Sequence, residues 1–237
     1  MNSEVQTSKS ASSYERGMCV NAPVSFSAFI IGVIVCVILL LVFRDEPTIV
    51  AIALFFLFVV FVQLFEGMTH LGYDELGAHA ILVLTALQPV VLGVLLLYAA
   101  EVSSIIQIVC GFIIVLYIAY MFYSLNQAPA FDHLVADGGC KQLRYTFWEN
   151  VGSLPYFLVA FALAVLLIAP AELAIVFIAV IGGTLAIAAL LYSCGGGVPS
   201  LWCLTAVAGP LIILLYLLWK DWTQNPYKNM VGNAIEL

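Results

Sequence analysis

Seven runs of mostly apolar residues, at 24–43, 49–71, 79–99, 105–123, 151–168, 173–192 and 201–219, dominate the chain. Each is close to the ~20 residues that a helix needs to cross a bilayer. In hydrocarbon every backbone N–H and C=O must be paired within the segment or within a closed barrel. The period-2 alternation of a barrel strand is absent from these runs, so helices are the remaining solution. The sequence therefore predicts an all-α fold, a polytopic membrane bundle of seven transmembrane helices. It divides into a polar N-terminal tail at 1–23, a transmembrane domain at 24–219 and a C-terminal tail at 220–237.

Connections at 44–47, 101–104 and 169–172 are short, which makes helices 1 and 2, 3 and 4, and 5 and 6 antiparallel neighbours. The link at 124–150 is the one candidate for ordered structure outside the bilayer. The polar start lacks the basic, apolar and small-residue regions of a cleavable signal, so helix 1 is expected to serve as the targeting signal.

Composition narrows the function classes. Hydrophobic residues make up 64% and charged residues 9%, with mean hydropathy +1.13, which excludes a soluble enzyme. The net charge is −7, and seven Lys and Arg residues are spread from end to end, which excludes nucleic acid as a partner. The lipid bilayer is the partner that the composition names. No cofactor motif is present, and no nucleophile–base pair or dense metal motif points to an enzyme.

The positive-inside count nearly ties. Lys9, Arg16, Lys141 and Arg144 fall on the N-terminal side, against Arg44, Lys220 and Lys228 on the other. Cysteine placement adds a second criterion, because Cys19, Cys140, Cys194 and Cys203 share the N-terminal side while Cys36 and Cys110 lie inside helices 1 and 4. Four interfacial cysteines on one side are compatible with one or two disulfides in an oxidising compartment. Cys203, one turn into helix 7, meets Cys19 if helix 7 closes against helix 1. The alternative is that these are merely small buried residues. The disulfide reading puts the N-terminus outside or in a lumen and the C-terminus in the cytoplasm.

Ionisable residues inside the apolar runs are the strongest functional pointers, since each is costly unless paired or hydrated. Helix 2 ends FVQLFEGMTHLGYDEL, and Gln63, Glu66 and His70 stand at i, i+3 and i+7, on one helical face. With the hairpin between helices 2 and 3 centred near Asp74 and Glu75, Glu66 lies roughly 8 Å inside the membrane at ~1.5 Å per residue. Gln88 of helix 3 then comes near the depth of Gln63, and His79 lies opposite His70 at the entrance. Three readings compete. In the first, a polar pocket opens on the N-terminal side, Glu66 takes up a proton or cation, and Gln63 and Gln88 orient a small solute. In the second, the same three residues only hydrogen-bond helices 2 and 3 together. The third, a metal held by His70, His79 and a carboxylate, is weaker because the ligands come from two helix ends without a dense motif.

Pro89 deprives helix 3 of one N–H and frees a carbonyl near Thr85, which predicts a kink there. Leu84-Thr85-Ala86 followed by Pro89 is echoed by Leu204-Thr205-Ala206 followed by Pro210. Helices 1 and 5 are loosely alike too, so the chain can be laid out as a 3+1+3 parallel repeat, the plan of sugar transporters of the SWEET type. The second unit has no counterpart of Gln63 and Glu66, which weakens a symmetric transport site. Trp202, Trp219 and Trp222 read as interfacial anchors, with Lys220 snorkelling beside them.

Met18-Cys19 before Pro23 and Ser25, Gln63-Leu64 followed by Glu66, Gln88-Pro89 and Ser200-Leu201-Trp202-Cys203 together resemble a family of short seven-helix membrane proteins encoded by large DNA viruses and some microbial eukaryotes. The resemblance spans 18–219 and implies no particular activity. Other heptahelical families fit worse. A retinal protein requires a lysine in mid-helix 7, where the sole candidate, Lys220, sits at the helix end. Zinc hydrolases of the ceramidase type carry histidines in helix 7, which has none. The expectation is a transporter of a small solute, proton-coupled through Glu66. The competing class is a nonenzymatic scaffold of a membrane, such as a viral one.

Overall fold

The computed structural model describes residues 21–127, 134–137, 140–143, 153–191 and 207–224. Seven helices lie among them: α1 (Ala22–Val42), α2 (Pro47–His70), α3 (Asp74–Ala99), α4 (Ser104–Gln127), α5 (Ser153–Leu167), α6 (Ala171–Leu191) and α7 (Ala208–Gln224). The long link after α4 carries a two-stranded antiparallel hairpin, β1 (Leu134–Asp137) and β2 (Cys140–Leu143), with Leu134 opposite Leu143 and Asp137 opposite Cys140.

Five of the helices contain spans long and apolar enough to cross a membrane: α1, α2, 76–99 of α3, 104–124 of α4 and 171–188 of α6. The described parts of α5 and α7 are 15 and 17 residues. At ~1.5 Å per residue they are shorter than a ~30 Å hydrocarbon core. The chain is a helical multi-pass membrane protein on the strength of the five.

Local chemistry explains the helix ends. Asn21 caps α1, its Oδ1 accepting from the Val24 N–H at 3.1 Å, and Pro23 occupies the first turn, where a missing N–H costs no bond. Pro47 does the same for α2. The α2–α3 turn is only 71–73, closed by the N–H groups of Leu71 and Gly72 donating to Met68 and Thr69. Gly72 there has φ +97°, a conformation open to a residue without Cβ. Asp74 already belongs to α3, so the hairpin pivots on Gly72 and not on Asp74 and Glu75. An Ala169–Pro170 cis peptide stands between α5 and α6.

Successive helices pack side by side and α7 returns to touch α1, with further contact between α3 and α5 and between α2 and α7. The short-loop pairs are therefore neighbours, as their loop lengths required. α2 is the most enclosed strut, clamped between α1 and α3. Its Phe55 and Phe56 meet Phe177 of α6, both at centroid separations of 5.8 Å. Gly209 lets α7 reach this cluster: a Cβ there would lie 2.5 Å from the Phe56 ring and 3.1 Å from Val180. Close approach at small residues is how helices gain van der Waals contact in lipid, where apolar burial itself supplies little. The outer faces are apolar as well. On α4, Ile105, Ile108, Phe112, Val115 and Phe122 are all at least 61% exposed. Such a surface suits hydrocarbon and would aggregate in water.

Candidate functional site

Eight polar side chains are buried among the described residues, and three of the predicted site residues, Gln63, Glu66 and Gln88, have no accessible surface at all. The spacing that sequence placed on one face does bring Gln63 and Glu66 together. The Gln63 Nε2 donates to Glu66 Oε2 at 2.7 Å, while Gln63 Oε1 has no hydrogen-bond partner. That bond lies within α2. One turn on, the Thr69 hydroxyl donates to its own helix at the Phe65 carbonyl, 2.9 Å away. Here α3 comes close enough that a Cβ on Gly77 would strike Thr69 and the Phe65 carbonyl. His70, on the last turn of α2, is half-buried.

Two expectations need correction. Gln88 is not level with Gln63. Gln63 stands nine residues before Gly72 and Gln88 sixteen after it. The extra seven residues carry Gln88 about 10 Å deeper at ~1.5 Å each. His79, exposed on α3, is not level with His70: it stands seven residues after Gly72 and His70 two before it. Among the described residues no three His, Cys, Asp or Glu side chains are grouped so as to hold a metal ion.

Gln88 instead belongs to a second, deeper node where α3, α4 and α5 converge. The Tyr156 hydroxyl of α5 donates to Gln88 Oε1 at 2.5 Å. The Tyr117 hydroxyl of α4 donates to the Ala86 carbonyl at 3.1 Å. Thr85 is buried beside them, and its Oγ1, like Gln88 Nε2, has no partner. Pro89 stands inside α3 at this level and deprives the Thr85 carbonyl of its helical donor, while the next carbonyl, that of Ala86, is the one that accepts from α4. Close packing here is again licensed by a glycine, since a Cβ on Gly93 would lie 2.6 Å from Ile114 of α4 and 2.9 Å from Leu163 of α5.

Tyr117 and Tyr156 were not among the residues singled out from sequence. Their signal was a phenol inside an apolar run, which must find an acceptor when buried.

The disulfide candidates Cys19, Cys194 and Cys203 lie outside the described residues, as does the side chain of Cys140. Cys36 and Cys110 are buried free thiols. At the opposite end of the bundle Lys220 of α7 bridges to Glu172 of α6 at 2.9 Å. Comparison with family models, with curated proteins and with solved structures finds no match to this chain.

Proposed function

We propose that this chain moves a small solute across its membrane in exchange with, or together with, a proton taken up by Glu66. The observation that carries the reading is the Gln63–Glu66 pair: an ionisable carboxyl with no accessible surface, bonded along its own helix. Among the described residues, bonds that join helices include those from Tyr156 to Gln88 and from Tyr117 to Ala86. An enclosed carboxyl is expensive in a membrane and marks a functional site by default, which supports Glu66 as the proton carrier. Gln63 offers both an N–H to the carboxylate and, after an amide flip, an acceptor to the acid, so the pair suits either protonation state. The proposal includes seven crossings, a 3+1+3 layout with α4 as the linker, and a C-terminus in the cytoplasm.

The second reading is a nonenzymatic membrane scaffold, of the kind the virus-encoded family resemblance brings to mind. It is favoured by the closure of the site, since Gln63, Glu66 and Gln88 are all sealed from solvent.

Glu66→Gln separates the two. The amide fits the same space, so expression and thermal midpoint should stay near wild type, while proton-dependent solute uptake in proteoliposomes is lost. Retained proton-dependent uptake in this variant removes Glu66 from the mechanism. Absence of any wild-type flux across a panel of small solutes favours the scaffold.

A further inference from the structure

We infer that the turn of α3 before Pro89 is a binding site for a neutral hydroxyl, held between Thr85 and Gln88 and separate from the Gln63–Glu66 pair. Three polar groups lie within one turn of α3. Gln88 Nε2 is buried without a partner, although the other atom of the same amide is engaged by Tyr156. Thr85 Oγ1 is buried without a partner three residues earlier. The Thr85 carbonyl loses its normal donor because residue 89 is proline. Flipping the Gln88 amide does not remove the deficit. Tyr156 would then accept from Nε2, and Oε1 would be the atom left over.

Residues at i and i+3 have Cβ atoms about 5–6 Å apart, so one oxygen between them reaches both side chains. The groups present a donor on Gln88, a carbonyl acceptor on Thr85 and a hydroxyl that serves as either. The complement is a group that donates and accepts at once and carries no charge, which is an O–H. A carboxylate or an ammonium satisfies only half of the set, and the Tyr156 and Tyr117 hydroxyl protons are already donated, to Gln88 Oε1 and to the Ala86 carbonyl. Neither orphan atom has accessible surface, so the hydroxyl enters as α3 opens at Pro89. That is where the helix is softest, since Pro89 removes a bond from the ladder. The hydroxyl comes either from water or from a small neutral solute.

The test is the thermal unfolding midpoint of the full chain in detergent or bilayers, for Thr85→Val, Thr85→Ser, Gln88→Met and the Thr85→Val/Gln88→Met double variant. If a hydroxyl bridges the two residues, Thr85→Val lowers the midpoint by about 2–4 °C, the shift from losing one net hydrogen bond in a chain of this size. Thr85→Ser keeps the wild-type value. The loss from Thr85→Val disappears in the Gln88→Met background, because the bridge is already gone. An unchanged or raised midpoint in Thr85→Val means the hydroxyl is simply orphaned, and overturns the site. Strictly additive losses overturn the bridge. Ethylene glycol at millimolar concentration then distinguishes the source. A saturable rise in the wild-type midpoint that is absent from the double variant identifies a solute hydroxyl, and no rise with the coupling intact identifies water. None of these readouts depends on Glu66 or on flux.

Discussion

Tyr156 on α5 and Gln88 on α3 are 68 residues apart and share a hydrogen bond of 2.5 Å with neither side chain more than 1% exposed. The bond ties the last helix before the short α5–α6 turn to α3, which carries Pro89 in its interior. It holds α5 in place where the described helix is only 15 residues long.

Tyr156→Phe keeps the ring and its packing but leaves the Gln88 oxygen without its donor. The expected loss is about 0.6–1.7 kcal/mol, the range for interhelical polar contacts in membranes. A double-mutant cycle with Gln88→Leu, read by reversible unfolding in mixed micelles, should return a coupling of that size. Two losses that simply add would mean the pair contributes nothing beyond packing.

Gly209→Ala should be the most disruptive single methyl in α7. The added carbon would lie 2.5 Å from the Phe56 ring, inside the Phe55–Phe56–Phe177 cluster. A cost of about 1–3 kcal/mol is typical of overpacking a filled core. Phe56→Leu in the same chain should recover part of it by making room. A Gly209→Ala variant with an unchanged unfolding midpoint would show that α7 does not press on α2 as closely as described.

Orientation is open to a direct measurement. With the N-terminal side in an oxidising compartment, an impermeant thiol reagent applied from that side labels Cys19, Cys140, Cys194 or Cys203 only after reduction. It labels none of them from the cytosol. Cytosolic labelling of any of the four without reduction reverses the orientation proposed above. Cys36 and Cys110, enclosed in α1 and α4, should stay unlabelled in either case.

The sequence by itself determined the class of molecule and the position of most helices. Length and apolarity in lipid admit one local solution, and that solution depends on neighbouring residues alone. The i, i+3 spacing of Gln63 and Glu66 likewise settled that they share a face of α2, because the period of a helix is fixed by its backbone. Which groups meet across helices was decided by the tertiary structure. The α2–α3 turn shows why. Gly72, with its positive φ, lets the chain reverse about two and a half residues earlier than the midpoint of the acidic pair Asp74 and Glu75 suggests. A shift of the pivot moves the opposing helix by twice as much, roughly 7–8 Å here at ~1.5 Å per residue. That displacement parts Gln88 from Gln63 and puts His79 and His70 at different levels. Gln88 found Tyr156 through the convergence of α3, α4 and α5, which Gly93 and Pro89 permit and no local pattern encodes.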